Sequence, residues 1–155
     1  MIKINVITNN NNWHRFIKKP KTYIDRKIKK LNSKKEIFPK KDIFCTLLLS
    51  NDKEIKNLNH KFRKKNKATD VLSFPFQSKQ ELKRNLIKEK EIYLGDIIVN
   101  FNKIKNRNNI SKFKIEFDQL WIHGLVHLFG YDHKNEKDFL KMSLVEKKYM
   151  NLIND

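Results

Sequence analysis

A chain of 155 residues with a formal net charge of +18 can bury one real core and leaves little room for a second. With three glycines and three prolines it has no composition for a long flexible linker, and no apolar run approaches a membrane span. The start, Met1-Ile-Lys-Ile-Asn-Val6, lacks the apolar segment of a signal peptide, and a lone Cys45 excludes an intrachain disulfide; both are expected of a cytoplasmic protein.

In chain order, residues 2–6 alternate as a strand does, and Asn9 to Asn12 form a turn or helix entry. Trp13 to Leu31 has the pattern of a basic amphipathic helix that Pro20 kinks or breaks. Residues 42–49 are an apolar run suited to a buried strand, with Cys45 as a small core residue. Asn51-Asp52 can cap a second helix over about 52–63, with Ile55, Leu58 and Phe62 on one face. Val71 to Phe74 is a third strand ended by Pro75, and the polar stretch 77–90 is expected to be a loop or hairpin tip. A fourth strand runs from Tyr93 to Asn100, where Gly95 signals a bulge or a close approach. Residues 102–109 suit a short helix. The strongest helix is 114–129, with Phe117, Leu120, Trp121, Leu125 and Leu128 as its buried stripe. A last helix covers about 136–152, with Phe139, Met142 and Tyr149 among its apolar positions. Strands and helices interleave without repeats, which gives a small α/β or α+β domain.

The charge admits a nucleic-acid partner but does not prove one. Of 35 basic residues only Arg15, Arg26, Arg63, Arg84 and Arg107 are arginines, and Ala68 is the only alanine. That is the usage of A+T-rich codons, so part of the lysine content, including the Lys-rich stretch 26–41, is drift on solvated surfaces. A rare arginine is the more informative cation.

Chemistry concentrates in His123-Gly-Leu-Val-His127-Leu-Phe-Gly130-Tyr-Asp132-His133, which holds three of the five histidines. On a helix, His123 and His127 share a face one turn apart. Gly130 can end that helix with a left-handed turn and return His133 to the same point. Three imidazoles with room for a fourth ligand make a catalytic metal site. The spacing equals that of metzincin proteases, but Gly124 stands where those enzymes carry the glutamate base. Among candidates for a base or second sphere, Glu116 and Gln119 precede His123 on roughly the same helix face, and Asp132 is either a second-sphere group or a turn former. His14 and His60 have no partner pattern and are assigned to the surface.

A second cluster is Leu58-Asn-His-Lys-Phe-Arg63-Lys-Lys-Asn-Lys-Ala-Thr69-Asp70-Val-Leu-Ser73-Phe-Pro-Phe76. A guanidinium fork matches phosphate oxygens. Arg63 is either that fork, a solvated cation or a partner of Asp70, and Thr69-Asp70 has the chemistry of a turn before a strand. Together with the histidine block and Leu94-Gly-Asp-Ile97, this cluster resembles the YbeY family of bacterial metal-dependent endoribonucleases that mature ribosomal RNA. The likeness runs from the strand at 42–49 to the final helix. Gly124 agrees with that family's own pattern; Val126, Asn66 and Lys67-Ala68 depart from it.

The resemblance implies a single α+β domain over residues 1–155, with a mixed sheet of about four strands flanked by helices and a metzincin-like metal site. It implies one Zn2+, or another divalent metal, held by His123, His127 and His133, with Arg63 as a further catalytic residue. It also implies a single-strand-specific endoribonuclease acting in 16S ribosomal RNA 3′-end maturation and ribosome quality control, with the ribosome or its proteins as partners. Lys61, Lys64, Lys65 and Lys67 would then hold the RNA backbone. Two other classes compete: a metal-dependent peptidase-like hydrolase, weakened by Gly124, and a non-catalytic ribosome assembly factor with a structural metal.

Overall fold

Four strands, β1 (Ile2–Thr8), β2 (Asp42–Ser50), β3 (Val71–Pro75) and β4 (Glu91–Asn100), form one sheet in the order β1-β2-β4-β3. The computed structural model describes residues 1–34 and 41–155, so part of the Lys-rich stretch lies outside the described residues. β1, β2 and β4 are parallel, and β3 runs antiparallel to β4 at the edge. Five helices flank the sheet: α1 (Pro20–Ser33), α2 (Asp52–Arg63), α3 (Lys79–Lys88), α4 (Ile110–Leu128) and α5 (Glu136–Asn154). The fold is therefore α+β with a mixed four-stranded sheet, as the sequence implied.

Strand alternation assigns the two faces of the sheet. Ile2 and Ile4 of β1 join Cys45, Leu47 and Leu49 of β2 in the main core, beneath Ile24, Phe117 and Leu125 from the helices. A smaller cluster of Ile55, Leu72 and Ile98 lies on the opposite face, under α2. Gly95 sits where the β2–β4 register slips, with φ +132°, and a Cβ there would come 2.1 Å from the Phe74 carbonyl oxygen. Only glycine fits that approach, so the expected bulge is present.

Three segments differ from the sequence reading. Residues 13–31 are not one helix. A 3-10 turn over Asn11–Arg15 buries Trp13, and α1 begins afresh at Pro20, whose missing N–H costs nothing in a first turn. The stretch 77–90 is α3 rather than a loop. Ser78 and Glu81 form a reciprocal capping box, and Leu82 is the one side chain that the helix fully buries. The short helix at 102–109 is only a 3-10 turn over Phe101–Lys103, and α4 starts at Ile110, capped by Asn109. The stripe of α4 packs as expected, but Phe139 of α5 faces solvent.

Asp118 anchors α4 in the interior. It accepts from Tyr23 Oη and Trp121 Nε1, each at 2.9 Å, and pairs with Lys27 at 3.0 Å. A buried carboxylate is tolerable only with such a full set of donors.

Candidate metal centre and cationic cleft

α4 delivers two of the three histidines. His123 and His127 stand one turn apart on its margin, half-buried, with their Nε2 atoms 3.1 Å from each other. The helix then ends in a Schellman motif: the Gly130 N–H reaches the His127 carbonyl at 2.8 Å, and the Tyr131 N–H reaches the Val126 carbonyl at 3.3 Å. Gly130 takes φ +91°, the left-handed conformation this turn needs. The chain reverses and brings in His133, so that one ligand atom from each of the three histidines lies within 4.8 Å of the others.

The hydrogen bonds fix which nitrogens are free. His123 Nδ1 lies 2.6 Å from Glu146 Oε1, and His127 Nδ1 lies 3.0 Å from the Tyr131 carbonyl oxygen. Both partners are acceptors only, so each Nδ1 must carry a hydrogen. Each neutral ring then turns a bare Nε2 lone pair toward the other. Two lone pairs facing at 3.1 Å repel unless a cation lies between them. Metal–nitrogen bonds of 2.0–2.1 Å in a tetrahedral shell place neighbouring nitrogens roughly 3.4 Å apart. The donor set fits a divalent metal. Burial, and next the neighbouring His123, push the His127 pKa below its ordinary 6.5, which keeps this ring in its neutral, ligating form.

Glu146 escaped the sequence reading. It comes from α5, 23 residues after His123, and no local pattern announces it. The residues that the sequence did nominate behave otherwise. Glu116 faces away and accepts from the Lys105 and Asn106 backbone N–H groups at 2.8 and 3.1 Å, so it braces the loop before α4. Gln119 lines a separate cavity of about 540 Å³ behind His123, together with Asp70 and Glu146. Asp132 accepts from the His133 N–H at 2.8 Å and stands 3.6 Å from Lys134, the behaviour of a turn former. His14 and His60 are exposed.

Gly124 is explained by packing. A Cβ at this position would lie 2.5 Å from Ile97 Cγ2 and 3.2 Å from Ser73 Oγ, and Ser73 donates to the Gly124 carbonyl at 3.2 Å. The position faces the sheet, at the closest approach of α4 to β3 and β4. A glutamate there would point into the core rather than at the histidines.

The three histidines open into a cleft of about 720 Å³ whose opposite wall is β3. Arg63 lines the same cleft, as do Lys79 and Lys134. Among the described residues Arg63 forms no ion pair, so it is not spent on Asp70. Asp70 instead accepts from the Val71 N–H at 2.8 Å, which makes Thr69-Asp70 the turn expected before β3. Arg63 ends α2, and the following Lys64 adopts φ 57° to turn the chain. The loop beyond is tied by Asn59 Nδ2, which donates to the Lys67 carbonyl at 2.9 Å. Lys61, Lys64, Lys65 and Lys67 do not line the cleft; the cations that the sequence reading missed there are Lys79, at the start of α3, and Lys134, just after His133.

Comparison with known proteins gives the same direction. The family described as Endoribonuclease YbeY matches residues 6–154. The chain belongs to the YbeY endoribonuclease family. A YbeY endoribonuclease of Pelagibacter ubique is 46% identical over 144 residues, covering 92% of this chain and 90% of the relative. One of Ehrlichia canis is 33% identical over 152 residues, covering 97% and 91%. The fold is shared with the solution structure of a Thermotoga maritima protein, at a TM-score of 0.57 and 24% identity over 97% of this chain and 89% of that one.

Proposed function

We propose that this chain is a single-strand-specific, metal-dependent endoribonuclease acting in the cytoplasm in 16S ribosomal RNA 3′-end maturation and ribosome quality control. His123, His127 and His133 hold one divalent ion, best matched by Zn2+, and Arg63 contacts the substrate phosphate. The observation that carries the reading is the meeting, in one cleft, of a three-histidine cluster and an arginine that forms no ion pair among the described residues.

Each residue has a task. Glu146 and the Tyr131 carbonyl hold the His123 and His127 rings with Nε2 toward the cleft. A divalent ion held there supplies Lewis acidity toward a phosphoryl oxygen and makes water near it acidic at neutral pH. Arg63 grips the scissile phosphate through its fork and offsets the charge that grows on the equatorial oxygens. Lys79 and Lys134 attract the flanking backbone, which makes binding salt-dependent. An open cleft in which His123 and His127 are half-buried and His133 is exposed admits an extended strand more readily than a duplex.

The test is a labelled single-stranded RNA incubated with wild type, His127→Ala and Arg63→Ala, each with and without a chelator. Cleavage by wild type, lost on chelation and in both variants, is the expected result. Cleavage that survives chelation and the loss of His127 refutes the metal-dependent reading. A His127→Ala protein that unfolds, beside a wild type that never cuts RNA, favours a structural metal in an assembly factor. Casein digestion by the same samples tests the peptidase class.

A further inference from the structure

The cleft uses one face of the sheet, and among the described residues the other face is largely bare. In register across the strands, Lys3, Phe44 and Tyr93 form one row on that second face, and Asn5, Thr46, Asp96 and Phe74 form the next. α2 covers the row beyond, where Leu48, Ile98 and Leu72 meet Ile55, and reaches the next row at Phe74 through Phe62. The uncovered rows carry aromatic rings. Phe62 packs on Phe74 with centroids 5.5 Å apart, and Phe76 meets Tyr93 edge-on, also at 5.5 Å. Phe76 is 72% exposed and Phe62 60%. A lysine lies at each end of the array: Lys3 Nζ is 5.1 Å from the Phe44 centroid, where it also pairs with Asp42 at 3.0 Å, and Lys61 Nζ is 5.2 Å from the Phe62 centroid.

Solvent-facing rings grouped on a sheet and bordered by cations present what unpaired nucleobases need, a flat apolar surface with charge for the backbone. Position on the fold supplies the continuity. β3 is an edge strand, and it separates the cleft from the bare face. Neighbouring residues straddle this ridge: Ser73 bonds to α4 while Phe74 joins the ring array, and Arg63 lines the cleft while Phe62 joins the array. Carboxylates share the face: Asp96 sits within the array and accepts from Tyr93 Oη at 2.6 Å, and Asp42 and Glu91 form the row beyond Phe44 and Tyr93. They repel phosphate, so the centre of the face takes bases and the backbone keeps to the Lys61 margin.

We propose that this bare sheet face is a stacking platform for the single-stranded RNA that flanks the segment held in the cleft, with Phe62, Phe76 and Tyr93 as the stacking rings. The proposal rests on RNA being the substrate of the cleft. It gives Lys61, which lies beside Phe62 and does not line the cleft, a role that it lacks at the histidines.

The experiment compares fluorescence anisotropy of labelled oligouridylates of about four and about sixteen nucleotides, with chelator present to prevent cleavage. Wild type is expected to bind the longer strand more tightly. Phe62→Ala/Phe76→Ala is expected to lose that gain by roughly five- to a hundredfold for each base unstacked, and Phe62→Trp/Phe76→Trp to keep it. Circular dichroism confirms that both exposed-site variants remain folded. Long-strand affinity unchanged in the alanine variant overturns the platform while leaving the endoribonuclease reading intact, since wild-type cleavage is scored separately with metal. Self-association abolished by the alanine variant, with RNA binding unaffected, assigns the face to a second copy of the chain and also overturns it. A wild type that neither binds nor cuts RNA overturns both.

Discussion

Replacing Gly124 by alanine adds a single methyl group where α4 packs closely on β3 and β4. The new Cβ would lie 2.5 Å from Ile97 Cγ2, whereas carbon atoms rest at about 3.5–4.0 Å, so α4 or Ile97 must yield by roughly 1 Å. Ile97 is fully buried, and its Cγ2 is fixed by a β-branched side chain, so the accommodation falls on the helix. Overpacking of this kind costs about 1–3 kcal/mol, and alanine returns about 1 kcal/mol of helix propensity. The expected net loss is about 0–2 kcal/mol, which for a chain of this size lowers Tm by up to roughly 8 °C. Thermal unfolding followed by circular dichroism measures it directly. Ile97→Ala alone is expected to cost about 2–5 kcal/mol, but Gly124→Ala/Ile97→Ala should cost less than the sum, because the second change removes the clashing methyl. A Gly124→Ala protein about 1 kcal/mol more stable than wild type, the full helix-propensity gain with no clash, or strictly additive costs in the double variant, would refute the packing account of this glycine.

Three further outcomes are expected. Glu146→Gln should leave the fold intact yet weaken zinc affinity by roughly 10–100-fold in competition with a chelating dye; unchanged affinity would show that the carboxylate does not position His123. Burial opposes the charge on Glu116, but its hydrogen bonds from Lys105 and Asn106 outweigh this and hold its pKa below the usual 4.5. Its stabilising contribution is therefore complete above that ordinary value and is lost as pH falls through the lower folded one, so Glu116→Gln should flatten the acid limb of a stability–pH curve measured by urea unfolding. Lys64, at φ 57°, holds a left-handed conformation that costs a side-chain-bearing residue about 1 kcal/mol, and Lys64→Gly should raise the urea midpoint accordingly, with no rise speaking against strain at the end of α2.

What could be seen in the sequence was what is local. β2 declared itself as an uninterrupted apolar run, and the histidine block carried helix spacing, helix stop and third imidazole within eleven residues. α3 was hidden because only Leu82 is fully buried, which leaves no hydrophobic period to detect. Its signal was the Ser78–Glu81 capping pair, and reading it would also have moved Lys79 from a loop to a helix start beside the cleft. Trp13 resembled the first residue of a helix because its burial serves a 3-10 turn with the same apolar demand. Glu146 was illegible for another reason. Its contact with His123 joins two helices, and only the packing of α5 on α4 brings the pair together.

The two helix-borne histidines are oriented by partners of different kinds. His123 answers to a side chain, the Glu146 carboxylate, whereas His127 answers to the Tyr131 carbonyl, a group present whatever residue occupies position 131. A single codon change at 146 can alter the basicity of one imidazole, and through it the strength with which the centre grips its ion. No side-chain substitution at 131 removes the acceptor that holds the other. The Schellman turn thus makes one half of the centre hereditary in the backbone and leaves the other half open to selection, so divergence in metal preference among descendants of this chain should be sought first at Glu146.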